Sequence, residues 1–255
     1  MLVNERIEFI VDWIKGYSDK VKYNPVSLII GVSGGVDSAV ASTLSAKTKL
    51  KTIAVSMPIR QNSEQHYLSL QHLEWLKSKY NNVETKIIEL DHVFNSFEKE
   101  MREYENKLAF ANSRSRLRMI TLYQIAQSSN GIVVGTGNKV EDFGVGFYTK
   151  YGDGGVDISP IADCTKSQVW EMAKELEINK DIVNAPPTDG LWDDSRNDES
   201  QLGLTYKEIE EAMENKDSPH FEKYNKIREQ NLHKMISIPV CKFEKQNEFF
   251  IQVCP

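Results

Sequence analysis

Cysteine is scarce in this sequence. Only Cys164, Cys241 and Cys254 occur among its 255 residues. Their number is odd, their spacing is wide and no pair has the Cys-x-x-Cys pattern, so neither a disulfide framework nor a zinc site is indicated. This usage is typical of a reducing compartment, and we expect a cytoplasmic protein.

Basic charge is also in short supply. The 31 Lys and Arg residues are outnumbered by 37 Asp and Glu residues, which gives a net charge of -6. Proteins that follow a nucleic-acid backbone need the opposite balance. We therefore expect no nucleic-acid partner, and any anionic ligand must meet a local positive site.

Long apolar runs are missing as well. No stretch approaches the ~20 apolar residues of a membrane span. Glu5, Glu8 and Asp12 interrupt the apolar residues of the first helix, unlike the uncharged core of a signal peptide. We expect an unprocessed protein with no membrane partner.

Short apolar segments and helical patterns alternate through the first half of the chain. Apolar, β-branched runs predict buried parallel strands, and between them apolar residues recur at helical spacing. This alternation predicts an α/β fold, a single Rossmann-like doubly wound domain over 1–255 with a mostly parallel sheet flanked by helices. The predicted strands are 27–32, 52–57, 84–90 and 131–135, and the predicted helices are 4–15 (capped by Asn4), 36–47, 64–79, 94–104, 114–128, 166–176, 206–214 and 221–234.

The sequence Gly-Val-Ser-Gly-Gly-Val-Asp-Ser, residues 31–38, joins the first strand to a helix. Such a turn offers unpaired backbone amides to phosphate oxygens. Gly34 and Gly35 allow close backbone approach, and Ser33 and Ser38 add hydroxyl donors. Asp37 would repel a bare phosphate, so its presence implies a metal ion. The Lys of a Walker A loop is missing, which disfavours a kinase or GTPase.

This turn resembles that of the pyrophosphatase-loop enzymes, which cleave ATP between its α and β phosphates. Two further motifs, Gly-Thr-Gly-Asn-Lys-Val-Glu at 135–141 and Thr-Lys-Tyr-Gly-Asp-Gly-Gly-Val-Asp at 149–157, are similar to those of the NAD synthetases. With 115–119, 187–188 and 233–234, the resemblance covers nearly the whole chain. It implies ATP- and Mg²⁺-dependent amidation of deamido-NAD through an acyl-adenylate, with release of AMP and pyrophosphate.

The resemblance also implies roles for individual residues. Asp37 and Lys166 are expected to act in catalysis, and Asp37 and Glu141 to hold Mg²⁺. The interval from Glu141 to Lys150 is one residue longer than in a shorter form of the family's loop, so Asp142 stays open as the alternative ligand. ATP is expected at Gly31, Ser33, Gly34, Gly35, Asp37, Ser38, Thr136, Lys166 and Thr188, and deamido-NAD at Arg116, Lys150, Asp157, His233 and Lys234.

Other interpretations stay open at this point. Glu141 and Lys166 could be surface charges, and Arg114, Arg116 and Arg118 could form a solvated helix face. A tRNA-modifying ligase of the same fold, or a nucleotide sensor without catalysis, could carry the same turn. A tRNA ligase should have a basic surface, which the sequence lacks, and the many candidates for a second substrate argue against a sensor.

Three further expectations concern partners and motion. Free ammonia is the expected nitrogen donor, because 255 residues leave no room for an added glutaminase domain. The resemblance implies a homodimer. The acidic stretch 188–203, with Leu191 and Trp192 as apolar anchors, could be a lid over the adenylate or an ordinary flexible loop.

Overall fold

The structure, a computed structural model, describes residues 1–21, 26–188, 190, 197–241 and 243. Its centre is a four-stranded sheet in the order β3-β2-β1-β4, in which every pairing is parallel. This arrangement confirms the predicted α/β fold with a parallel sheet. The strands are β1 (Ser27–Gly31), β2 (Thr52–Ser56), β3 (Val83–Ile87) and β4 (Gly131–Val134).

Ten α-helices occur in the described residues, together with a 3₁₀ turn at Arg102–Tyr104 and a π-helical turn at Val140–Val145. The α-helices are α1 (Val3–Ser18), α2 (Val36–Lys47), α3 (Ser63–Lys79), α4 (Asp91–Glu100), α5 (Lys107–Ser128), α6 (Lys166–Glu175), α7 (Lys180–Asn184), α8 (Asp198–Leu202), α9 (Tyr206–Glu214) and α10 (Phe221–Met235).

Successive side chains of β1 point to opposite faces of the sheet, so they pack into two separate apolar cores. Leu28 and Ile30 pack with α1, α2, α3 and α6 on one face. Ile29 packs with α4 and α5 on the other face. All three side chains are fully buried. This double cover explains why β1 reads as a continuous apolar run.

A third apolar cluster lies beside the sheet. It joins Val140 and Val145 of the π-helical turn to Ile209 of α9 and Tyr224 of α10. The π-helical turn is also held by polar bonds, since Asn231 Nδ2 donates to the carbonyl of Val145 at 3.0 Å. Residues that directly follow the motif at 135–141 are therefore anchored to the C-terminal helices.

Helix limits differ from the predictions where caps were misread. Asn4 lies inside α1, whose first turn is closed by Glu5 Oε2 accepting from the backbone amide of Leu2 at 2.9 Å. The prediction that Asn4 caps this helix is wrong. Helix α5 begins at Lys107 rather than 114 because the Asn106 side chain accepts from the amide of Ala109 at 2.9 Å.

The acidic stretch predicted as a loop is partly helical. Its end forms α8, capped by the Asn197 side chain, which accepts from the Ser200 amide at 2.7 Å. The two predicted apolar anchors, Leu191 and Trp192, lie outside the described residues. Across the rest of the chain, no helix combines the length and the apolar character needed to span a bilayer.

Candidate active site

The turn between β1 and α2 lies at the carboxyl edge of the parallel sheet, where ligands of such sheets gather. Gly34 has a φ of +95°, and a Cβ atom there would stand 2.3 Å from the carbonyl oxygen of Gln65. No other residue fits that conformation and that contact. The second glycine, Gly35, is the N-cap of α2, so the turn directs the helix N-terminus toward this edge.

The two serines hold the turn in shape before any ligand arrives. The Ser38 hydroxyl donates to the carbonyl of Gly35 at 2.9 Å and accepts from the amide of Ser33 at 3.2 Å. The amide of Gly35 donates to Ser33 Oγ, also at 3.2 Å. A preformed turn of this kind loses little conformational freedom when phosphate oxygens bind.

Asp37, the second residue of α2, accepts two hydrogen bonds from distant parts of the chain. Asn138 Nδ2 donates to Oδ1 at 3.0 Å, and Lys166 Nζ donates to Oδ2 at 2.6 Å. The sheet accounts for the first contact, because β1 pairs with β4 and the segments after both strands leave from the same edge. The motifs at 31–38 and 135–141 thus form one site.

Lys166 links the two predicted metal ligands. It is the first residue of α6, behind a capping box formed by Thr165 and Gln168. Its Nζ atom also donates to Glu141 Oε1, at 3.0 Å. Only 2% of its side chain is exposed, whereas 17% of each carboxylate side chain is. The interpretation of Lys166 and Glu141 as surface charges is therefore excluded.

The buried charges change each other's ionisation. Burial lowers the pKa of Lys166, but Asp37 and Glu141 outweigh this effect, so the net pKa is raised and the ammonium is retained. Burial raises the pKa of Asp37, Lys166 opposes the shift and Glu141 adds to it. Desolvation is thus the main obstacle to keeping Asp37 charged in this structure.

Glu141 receives a second donor from α9. The Tyr206 hydroxyl lies 2.6 Å from Glu141 Oε1 and 3.1 Å from Asp198 Oδ2. Burial, followed by the charges of Glu141 and Asp198, raises the pKa of this phenol, which therefore stays protonated. Tyr206, Asp198 and Asn138 were not among the predicted site residues. Asn138 lay within a quoted motif, but Tyr206 looked like an ordinary first residue of a helix.

Asp142 occupies a different place from Glu141. Its carboxylate is packed against the backbone of Gly137, where an added Cβ would lie 2.3 Å from its oxygens. It lines a cavity of about 150 Å³ together with Tyr148, Asp153 and Ser159. Burial, reinforced by Glu141, Asp153 and Asp37, raises its pKa to about 8. Of the two alternative metal ligands, Glu141 is the one that, like Asp37, accepts a hydrogen bond from Lys166.

Thr136 and Thr188 are the two predicted ATP threonines outside the turn at residues 31–38, which we call the phosphate turn. Thr136 follows β4 at the same sheet edge as Gly31. Thr188 Oγ1 accepts from the amide of Gly190 at 3.2 Å. Gly190 lies against the side-chain amide of Gln65, the residue whose carbonyl meets Gly34. Thr136 therefore shares the sheet edge with the phosphate turn, and Thr188 is linked to the turn through Gly190 and Gln65.

Four of the five residues predicted for deamido-NAD gather where α5, the segment 146–155 and α10 meet. Arg116 Nε donates to the carbonyl of Lys150 at 3.2 Å, and Lys150 Nζ to the carbonyl of His233 at 3.4 Å. Lys234 Nζ donates to the carbonyl of Tyr148 at 2.9 Å. We call Arg116, Lys150, His233 and Lys234 the cationic cluster. It is a local positive site on an acidic chain.

Asp157 lies apart from the cationic cluster. Its Oδ2 atom accepts from the amide of Val133 in β4 at 2.7 Å, and its Oδ1 atom accepts from the Tyr123 hydroxyl at 3.1 Å. These contacts tie it to the edge of the sheet. The structure therefore does not bring Asp157 into contact with the cations that were predicted to share its ligand.

The arginines of α5 do not form a solvated helix face. Arg114 is buried, and its guanidinium carbon lies 5.5 Å from the centre of the Phe94 ring. Arg118 Nε donates to the carbonyl of Met57 at 2.9 Å. Arg116 alone of the three is exposed, which leaves it as the arginine of this group that is open to a ligand.

The phosphate turn at the carboxyl edge of a parallel sheet, with a lysine and two carboxylates beside it, defines an ATP-using enzyme of the α/β class. The NAD synthase family model matches residues 6–253. The chain belongs to the NAD synthase family, and the resemblance seen in its motifs is confirmed.

Individual relatives agree with this assignment. The NH(3)-dependent NAD(+) synthetase of Mesoplasma florum is 38% identical over 214 residues, covering 82% of this chain and 84% of its own. Among solved structures, the NMN synthetase of Francisella tularensis is 33% identical, with a TM-score of 0.86 over 95% of this chain and 100% of its own. The NH3-dependent NAD synthetase of Campylobacter jejuni is 25% identical, with a TM-score of 0.76 over the same shares.

Proposed function

We propose that the chain uses ATP and ammonia to convert the carboxylate of deamido-NAD into an amide. The observation that carries this proposal is the position of Lys166, whose Nζ atom joins Asp37 at 2.6 Å and Glu141 at 3.0 Å beside the phosphate turn. Charged groups of both signs beside this turn support a binding site for the phosphates of ATP. Membership of the NAD synthase family supports the same activity.

The first step activates the carboxylate, because expelling an oxide ion from it is prohibitive. A carboxylate oxygen attacks the α-phosphorus of ATP, and the bond from that phosphorus to the bridging oxygen breaks. Pyrophosphate leaves and an acyl-adenylate forms. The amides of the turn, with the hydroxyls of Ser33 and Ser38, would hold the departing pyrophosphate, and Lys166 would stabilise its growing charge.

The second step forms the amide. Neutral ammonia attacks the acyl carbon, the bond from this carbon to the AMP oxygen breaks, and a proton is lost from nitrogen. Water must be excluded, since it would hydrolyse the adenylate unproductively.

The cationic cluster would bind the phosphates of the pyridine nucleotide, with Arg116 available for a bidentate contact.

The residues at the site fit a magnesium ion. Asp37 and Glu141 supply carboxylate oxygens, and Mg²⁺ in nucleotide sites is commonly held by one or two carboxylates plus substrate phosphates. Among the residues that the structure describes, no group of three His, Cys, Asp or Glu residues forms a complete protein cage. When bound, the ion would neutralise charge on the phosphates during bond cleavage.

A second acceptor is favoured by one specific observation. The Francisella structure, named as an NMN synthetase, superposes at a TM-score of 0.86, compared with 0.76 for the Campylobacter NAD synthetase. An enzyme that makes NMN by this chemistry would amidate nicotinate mononucleotide, which carries the same carboxylate without the adenylate half. The chemistry at Lys166 is common to both acceptors.

One experiment identifies both activity and acceptor. The purified chain is incubated with ATP, Mg²⁺ and ammonium, with deamido-NAD in one reaction and nicotinate mononucleotide in the other, and products are identified by mass spectrometry. We expect NAD, AMP and pyrophosphate in the first reaction. A large preference for the second reaction would establish the NMN activity, and neither amide would contradict both. A parallel reaction with glutamine in place of ammonium is expected to give no amide.

We also propose a cytoplasmic homodimer. Large apolar side chains lie exposed along α4, the 3₁₀ turn that follows it and the start of α5, including Val93, Phe97, Tyr104 and Leu108. Helix α5 also carries Arg116, so a partner seated on this face would approach the cationic cluster. The buried free thiol of Cys164 agrees with a reducing compartment. Sedimentation is expected to show a dimer, and a fully active monomer at assay concentration would overturn the assembly.

A further inference from the structure

Tyr206 lies against the cluster formed by Asp37, Glu141 and Lys166, and no step of the proposed chemistry uses it. Its side chain is 1% exposed. Its hydroxyl lies 2.6 Å from Glu141 Oε1, the same oxygen that accepts from Lys166 Nζ at 3.0 Å. One face of its ring lies 4.6 Å from that Nζ atom. The tyrosine thus touches both partners of the ion pair.

The ring is fixed from several directions. The backbone amide of Tyr206 donates to Glu199 Oε1 at 3.0 Å, and Asp198 Oδ2 lies 3.1 Å from the hydroxyl. Trp170 of α6 meets the ring edge-on, with the ring centres 6.1 Å apart. Thr205 and Glu208 close a capping box at the start of α9. The ring is therefore fixed, and of the two carboxylates that can accept its hydroxyl hydrogen Glu141 is the nearer, at 2.6 Å against 3.1 Å for Asp198.

Glu141 needs such support because of where it lies. It belongs to the π-helical turn Val140–Val145, where the backbone hydrogen bonding is wider than in an α-helix. Metal-binding carboxylates are commonly oriented by a hydrogen bond from a neighbouring residue, and loss of that neighbour costs about 10- to 100-fold in metal affinity or activity.

We propose that Tyr206 is a positioning residue for Glu141, whose carboxylate it holds toward Asp37 and Lys166 so that the two acids can share a divalent cation with the phosphates of ATP. The inference rests on the proposed function, since it assigns a support to that site. It also makes the geometry of Glu141 depend on the packing of α8 and α9.

Tyr206→Phe tests the role, because it removes the hydroxyl and keeps the ring that faces Lys166. Binding of Mn²⁺ in the presence of α,β-methylene ATP is measured by electron paramagnetic resonance, which counts free Mn²⁺ without turnover. We expect Mn²⁺ affinity to fall by about 10- to 100-fold, with a matching rise in the Mg²⁺ concentration for half-maximal pyrophosphate release. Saturating Mg²⁺ should restore most of the rate.

Tyr224→Phe is the matched control, since Tyr224 is a buried tyrosine of the same apolar cluster and no described contact joins it to the two acids. It should leave Mn²⁺ affinity unchanged. Tyr206→Phe with wild-type Mn²⁺ affinity would overturn the proposal, whatever its melting temperature.

The outcome is separable from that of the proposed function. Mn²⁺ binding requires no acceptor and no chemistry, so it can be read even if neither pyridine nucleotide is amidated. Conversely, a wild-type enzyme that makes the amide and a Tyr206→Phe variant with unchanged Mn²⁺ affinity would retain the proposed function and remove only the role of Tyr206.

Discussion

Lys166 Nζ and Asp37 Oδ2 lie 2.6 Å apart, although 129 positions separate the two residues in the sequence. The contact joins the first residue of α6 to the first turn of α2 at the carboxyl edge of the sheet. The contact therefore forms only when α2 and α6 are both packed in place. Through it, the ammonium of Lys166 is held beside the phosphate turn.

Asp37→Asn tests the carboxylate at this contact. The amide keeps the size of the side chain but loses the negative charge that would hold Mg²⁺ and pair with Lys166. We expect pyrophosphate release to fall by about 10²- to 10³-fold, the size of effect seen when one preorganised hydrogen-bonding group is lost from an active site, with nearly unchanged circular dichroism. Asp12→Asn, on the exposed face of α1, is the control. Normal pyrophosphate release by folded Asp37→Asn would remove the metal role.

Glu141→Gln and Asp142→Asn separate the two alternative metal ligands. The structure joins Glu141 to Lys166 and packs Asp142 against Gly137. We therefore expect Glu141→Gln to raise the Mg²⁺ concentration needed for half-maximal exchange of pyrophosphate into ATP, and Asp142→Asn to leave it unchanged. The exchange reaction isolates adenylation from the ammonia step. The reverse order of effects would assign the ligand to Asp142.

Gly34→Ala tests the shape of the phosphate turn. The φ of +95° and the contact of 2.3 Å with the Gln65 carbonyl both oppose a Cβ atom. We expect the free energy of unfolding to fall by more than about 1 kcal/mol, together with weaker ATP binding. Gly16→Ala is the control, because an added Cβ in α1 has no atom within 4 Å and should stabilise the helix by roughly 0.5–1 kcal/mol. Equal effects in urea unfolding would contradict the strained turn.

His72 predicts a dependence of stability on pH. Burial lowers its pKa from 6.5 to about 4, although its bond to the carbonyl of Ala39 opposes the shift. In the unfolded chain this imidazole therefore binds a proton below about pH 6.5, whereas in the folded chain it binds one only below about pH 4. Stability contributed by neutral His72 is complete above pH 6.5 and is lost as the pH falls through this window, by up to about 3 kcal/mol.

His72→Gln removes this titration while keeping a donor near Ser42, whose Oγ atom lies 3.0 Å from His72 Nε2. Urea unfolding of the variant between pH 4 and pH 6.5 should show a shallower fall in stability than that of the wild type. His92→Gln, at an exposed position of α4, should keep the wild-type slope. Identical slopes for the wild type and His72→Gln would contradict the buried neutral histidine.

Local patterns account for much of the fold. The predicted strand 131–135 and the helices 36–47 and 206–214 agree closely with β4, α2 and α9, because buried strands read as apolar runs and amphipathic helices carry a period. The start of α5 was missed because residues 107–113 lack a clear apolar period, and its Asn106 cap lies eight residues before the predicted start. The short helices α7 and α8 were also missed.

Residues of the site could be predicted from the sequence only where they lie in a recognisable motif. Asp37 and Glu141 lie in motifs that resemble those of a known family, whereas Tyr206 follows a capping Thr205 and reads as the start of a surface helix. Its contact with Glu141 spans 65 positions. Contacts of this kind arise from tertiary packing, which local periodicity does not encode. For the same reason the sequence could not separate Asp157 from the cationic cluster.

We expect the acceptor carboxylate to pass through an acyl-adenylate, and oxygen-18 in that carboxylate follows its oxygen atoms through the reaction. The labelled acceptor that proves active, deamido-NAD or nicotinate mononucleotide, is converted with ATP, Mg²⁺ and ammonium, and the products are analysed by mass spectrometry. We predict one labelled oxygen in the phosphate of AMP, because the attacking carboxylate oxygen leaves with the α-phosphorus, and unlabelled pyrophosphate. Label in inorganic phosphate or pyrophosphate, with unlabelled AMP, would show attack at another phosphorus and exclude the acyl-adenylate.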